Sequence, residues 1–112
     1  MNKSELKFTV TLDEHKVPES IQWHSSTDSP ELAVEQQAHA LNISMWNKDE
    51  GGTMKIALWT RTMPVQHLKR FYIDSIGAIA ENLTLATNDE EMAGKIHALC
   101  QDLLGQLDKS AE

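Results

Sequence analysis

The spacing of apolar residues changes once along this chain, at Met63-Pro64, and that change fixes the class of fold open to it. Before it, Leu6, Phe8, Val10 and Leu12 alternate with Lys7, Thr9 and Thr11, the period of a half-buried strand. After it, Val65, Leu68, Tyr72, Ile76, Ile79, Leu83 and Ala86 recur at steps of three and four. That is one apolar stripe on a helix of about six turns, with Arg70, Asp74 and Glu81 opposite. Strands followed by helices imply an α+β protein, an antiparallel sheet with helices covering one face.

Within the strand half, residues 13–18 read as a turn, with Pro18 ending any ladder. Ile21 and Trp23 indicate a short second strand through about Ser25. Residues 25–30 are the most loop-like stretch, and 31–37 leave two readings open, a helical turn behind Pro30 or a loop feeding the next strand. From about Ala38 the alternation resumes, with His39, Leu41, Ile43 and Met45 on one face, then Met54, Ile56 and Leu58. The polar segment 47–52, ending in Gly51-Gly52, joins these runs as a hairpin. The expected order is ββββαα: a four-stranded antiparallel sheet, then two antiparallel helices packed on one face.

Pro64 fits the first helical turn, where its missing N–H costs nothing. Residues 87–90 form a capping box in which the Thr87 hydroxyl accepts from an orphan N–H and Glu90 reaches back. Met92, Ile96, Leu99, Leu103 and Leu107 line the second helix, widened by Cys100 and Leu104. The length of 112 residues suits one domain, strand-rich over 5–61 and helical over 63–107, with a tail over 108–112 that should fray.

Seventeen acidic against ten basic side chains give a net charge of −7, which disfavours nucleic acid as a partner. No apolar run has the length of a signal peptide core or a membrane span, and the single cysteine, Cys100, forms no internal disulfide. These features point to a cytoplasmic protein without membrane insertion.

The side chains that carry chemistry are scattered. No two of His15, His24, His39, His67 and His97 have the i, i+4 spacing that places both on one helical face. His97 and Cys100 are helical neighbours, the spacing of a nucleophile and its base, but Cys100 lies on the apolar side and reads as core. The acidic clusters 13–14, 49–50 and 89–91 fall at a turn, a hairpin tip and a helix start, each with a local structural reason. The chain has no phosphate-binding glycine loop, nucleophile elbow or CxxC pair. The reading is a protein that is not an enzyme, with no cofactor and no metal.

The tryptophans are the candidate partner-binding residues. Trp46 and Trp59 are out of phase with the inward sets of their strands, and Trp23 joins them if the register allows. Two readings stand side by side: this face is an interface, or the 27–37 segment folds over it.

Four stretches, 54–72 (MKIALWTRTMPVQHLKRFY), 5–13 (ELKFTVTLD), 17–23 (VPESIQW) and 86–92 (ATNDEEM), together resemble the gliding-motility-associated GldC family. The resemblance spans essentially the whole chain in order. It implies an accessory protein of the bacterial gliding machinery, which is linked to type IX secretion. Its implied partners are proteins of that machinery, with a second copy of the chain as another candidate. No catalytic or cofactor residue carries over. Thr62 stands where relatives have an acidic residue before the Met-Pro-Val segment, which alters helix capping alone. Two other readings are a peptide-holding chaperone or secretion adaptor arranged like the export chaperone SecB, and a small-molecule-binding or enzymatic domain using His39 or His97 near Cys100.

Overall fold

The computed structural model of the chain describes residues 3–26 and 34–110. It divides into two compact units, Met1–Met63 and Pro64–Glu112, and the boundary falls where the apolar spacing changes.

In the first unit, β1 (Leu6–Leu12) pairs antiparallel with β2 (Pro18–Ser25), and β2 with β3 (Gln36–Ala38), in the order β1-β2-β3. A separate two-stranded antiparallel sheet joins β4 (Ala40–Trp46) to β5 (Thr53–Trp59). The single four-stranded sheet expected from the alternation is therefore two sheets, of three and two strands. The reason is local. The third alternating run bends at His39, so its short first part stays on β2 while its longer second part pairs with β5. The Thr60 N–H donates to the His39 carbonyl at 2.8 Å, extending the β4–β5 ladder by one pair and committing His39 to the β5 side.

Pro18 opens β2 rather than ending a ladder. As the first strand residue it has no ladder bond to donate, and its carbonyl accepts from the Arg61 N–H at 3.3 Å. The preceding turn is closed by Asp13, whose Oδ1 accepts from the N–H groups of His15 (2.8 Å) and Val17 (3.0 Å). The pairing shifts between Thr11 and Leu12, a bulge that leaves Glu19 unpaired. Ile21, 1% exposed, is the centre of this unit's core. The β4–β5 turn is as expected: the Asn47 N–H donates to the Gly52 carbonyl (2.8 Å), and the Gly51 N–H to the Asn47 carbonyl (3.0 Å). Gly51 takes φ 63°, a left-handed conformation open to glycine at little cost.

The second unit is a helical hairpin of α1 (Val65–Thr87) and α2 (Glu90–Ser110). Pro64 precedes α1 with φ −61°, and its carbonyl takes the first helical bond, from the Leu68 N–H at 3.0 Å. At the junction Asn88 adopts the left-handed conformation (φ 60°) and donates its N–H to the Thr84 carbonyl. The cap of α2 is Asp89, whose Oδ1 accepts from the Met92 N–H at 3.0 Å. Thr87, expected to cap, is the last residue of α1; its hydroxyl accepts from the Asp89 N–H at 3.1 Å and donates to the Leu83 carbonyl at 2.6 Å. The helix continues to Ser110, past the expected end at Leu107.

The seam between the helices also differs from the expected stripe. Its buried residues are Ile73 and Ala80 on α1 and Ala93 and Cys100 on α2, whereas Val65 and Ile79 are exposed. Small residues let the helix axes approach, so the contact line follows Ile73, Gly77 and Ala80. The larger Tyr72, Ile76 and Leu83 flank that line, half-buried.

Candidate interaction surface

The β4–β5 register sorts the hairpin's side chains. Directly paired residues share a face, so Leu41/Leu58, Ile43/Ile56 and Met45/Met54 form one face. Ala40/Trp59, Asn42/Ala57, Ser44/Lys55 and Trp46/Thr53 form the other. Trp46 and Trp59 thus share a face but occupy opposite ends of it. Six strand residues separate their levels, about 20 Å at 3.3 Å per residue, with polar side chains between. Trp46 is 72% exposed and Trp59 49% exposed. The indole of Trp46 lies against the hairpin loop, where a Cβ placed on Gly51 would be 3.8 Å from its ring.

Trp23 lies in the other sheet. It pairs with Phe8 of β1 and Gln36 of β3 and is half-buried. It shares a face with Phe8, Ile21, Val10 and Leu6. Of the 27–37 segment proposed as a cover, residues 27–33 lie outside the described residues.

Trp59 also lines an open cleft of about 280 Å³ with Val17, Pro18, Ala57, Leu58 and Arg61. The Arg61 guanidinium is held there by Asp13 (3.2 Å) and more loosely by Glu19 (3.8 Å). The bond from the Val17 N–H is the main reason that the Asp13 carboxyl titrates below its ordinary range. Desolvation opposes it, and the His15 N–H and the Arg61 charge reinforce it. With its cation matched by two carboxylates, the cleft presents indole, proline and aliphatic surface, which suits an apolar side chain.

The face opposite the tryptophans is wholly apolar, and three of its six members, Met45, Met54 and Ile56, are exposed. Alternation assigned this face to the core.

A small cavity of about 80 Å³ lies between Glu19, Ser20, Gln37, Ala38, His39 and Thr60. His39 Nδ1 is 3.1 Å from the Thr60 hydroxyl. The other histidines are dispersed. His15 and His67 are exposed, His24 is half-buried opposite Lys7, and His97 is exposed beside Asp74 and Glu81. The Cys100 thiol is buried and donates to the Ile73 carbonyl at 3.8 Å, a helix-packing role. Among the described residues no three His, Cys, Asp or Glu side chains converge as a metal site, and no helix is long and apolar enough to cross a membrane.

Residues 18–109 match the family described as gliding motility-associated protein GldC-like. The chain belongs to this family. The match runs from the first residue of β2 almost to the end of α2 and leaves β1 outside it. No curated protein and no solved structure matches the chain. Membership of the GldC-like family associates the chain with gliding motility.

Proposed function

We propose that this protein is a non-enzymatic accessory component of the gliding machinery, linked to type IX secretion, that acts in the cytoplasm by binding other proteins. The observation that carries this reading is the exposure of Trp46 at one end of the hairpin face and of Trp59 at the other, beside an apolar cleft. Large exposed indoles are the residues most often found at the energetic centre of protein interfaces, and the spread of the two along the ribbon suits a partner that spans its length. Trp23, opposite Phe8 on the β1–β2 ladder, lies in the other sheet and contributes at the margin. The net charge of −7 disfavours nucleic acid and anionic surfaces as ligands.

The test is affinity capture from a gliding cell with the wild-type chain and a Trp46→Ser/Trp59→Ser variant, with identification of bound proteins by mass spectrometry. Components of the motility or secretion machinery should be retained by the wild type and lost from the variant, with unchanged circular dichroism. Equal retention by both would remove the tryptophans from the interface, and an absence of such components would remove the pathway.

A second reading, a peptide-holding adaptor, is favoured by the exposed Met45, Met54 and Ile56. Methionine-rich surfaces adapt to varied apolar partners. Measurable binding of several unfolded clients, abolished by Met54→Lys, would select it.

A further inference from the structure

The outer edge of β1 matches a second copy of itself. The Ser26 N–H donates to the Glu5 carbonyl at 3.0 Å, and the pairing then runs without a shift from Leu6↔Ser25 to Thr11↔Ser20. Hydrogen-bonded and non-hydrogen-bonded pairs alternate along an antiparallel ladder, so Glu5, Lys7, Thr9 and Thr11 spend their backbone groups on β2. The bond from the Asp13 N–H to the Val17 carbonyl, 2.9 Å, carries the same alternation past the bulge. The N–H and C=O groups of Leu6, Phe8, Val10 and Leu12 therefore point away from β2. Among the described residues no strand pairs with that edge, and Leu6, Phe8 and Leu12 are exposed. A seven-residue edge of this kind is a template for another strand.

The pattern along the edge selects the occupant. Outward groups must meet outward groups, so an antiparallel copy can be centred only on a residue of β1, never between two. Centring on Thr9 pairs all seven residues, and any other centre leaves some unpaired. It sets Phe8 against Val10 of the second copy and Leu6 against Leu12, with all four apolar residues on one face. On the other face Thr9 meets Thr9, a favourable cross-strand pair. Lys7, the strand's only charge, meets Thr11 rather than another Lys7.

We infer that the chain forms a two-fold dimer by antiparallel β1–β1 pairing centred on Thr9. The two three-stranded sheets then join as one six-stranded sheet with a continuous apolar face. This rests on the geometry of β1 alone and is independent of the tryptophan surface.

The register is tested by disulfide trapping of the full-length chain, read on a non-reducing gel, with association followed by sedimentation velocity up to about 100 µM. Thr9 and its copy form a non-hydrogen-bonded pair, about 4.5 Å between Cα atoms, within disulfide reach. Thr9→Cys should give a covalent dimer on mild oxidation. Lys7→Cys and Thr11→Cys should each stay monomeric alone and cross-link when mixed, while the wild type, with Cys100 buried, should not cross-link. Val10→Pro removes an outward N–H that β2 does not use and should weaken association at least about tenfold with unchanged circular dichroism. Thr9→Lys, which places like charges opposite each other, should weaken it in the same direction if Val10→Pro fails to fold. A wild type that sediments as a monomer throughout would overturn the inference. So would a dimer that Thr9→Cys does not trap, or β1 amides protected from exchange only when a different protein is bound.

Discussion

The imidazole of His39 and the hydroxyl of Thr60 meet at 3.1 Å where the third run of strand leaves β2 for β5. Thr60 is only 2% exposed, and its N–H holds the His39 carbonyl as well. One residue therefore fixes the bend through both its backbone and its side chain. Thr60→Val keeps the shape and the backbone bond but deletes the hydroxyl. Because His39 reaches solvent and can bond water, the loss should be modest, about 1 kcal/mol, read as a lower urea midpoint with unchanged slope. A loss several times larger would show that the side-chain bond, rather than the ladder, holds the bend.

In the helical hairpin Gly77 faces Cys100, and an added Cβ would sit 4.0 Å from the Cys100 sulfur. That is ordinary contact, so Gly77→Ala should fit and stabilise the protein by about 0.5–1 kcal/mol through helix propensity. Gly77→Leu should overpack the seam and cost about 1–3 kcal/mol. Thermal unfolding of the two variants should move in opposite directions. A destabilised Gly77→Ala would mean that the helices are closer than this geometry.

Much of this architecture was legible in the sequence. The loop 47–52 and the alternation on either side gave the β4–β5 hairpin and the phase of its tryptophans. The break at His39 was hidden because the alternation that resumes at about Ala38 carries no mark there; β2 and β5 compete for that run, and only tertiary pairing decides where it divides. The α1 stripe was misplaced for a different reason. Apolar periodicity picks out large side chains, of which Leu68, Tyr72, Ile76 and Leu83 are half-buried and Ile79 is exposed, whereas the most buried positions, Ile73 and Ala80, lie beside that stripe. The α2 cap falls on Asp89 because Thr87 is still helical, the last residue of α1, although its hydroxyl does accept from the Asp89 N–H.

Asp13 sets an acid-side dependence of stability. Its folded pKa lies below the ordinary carboxylate value, chiefly through the Val17 N–H. The sign follows from linkage: the stabilisation is complete above the unfolded-state pKa and is lost as pH falls through the folded one. Asp13→Asn should lower stability at neutral pH and flatten its fall in acid, as measured by urea unfolding between pH 2 and 7. Parallel curves for the wild type and the variant would assign the acid sensitivity to other carboxylates.

The tryptophans should separate by role. Trp46, 72% exposed, has little to lose on truncation, so Trp46→Ala should change stability by no more than about 0.5 kcal/mol. Trp23 is half-buried and pairs with Phe8 across the β1–β2 ladder, so Trp23→Ala should cost about 2–3 kcal/mol. Chemical unfolding followed by circular dichroism makes the comparison without relying on indole fluorescence. Equal and large losses at both positions would make Trp46 a structural residue, removing the basis for placing it in a protein interface. A silent Trp46 beside a costly Trp23 would leave the Trp46 indole free of any duty in the fold, as the proposed contact with the gliding machinery requires.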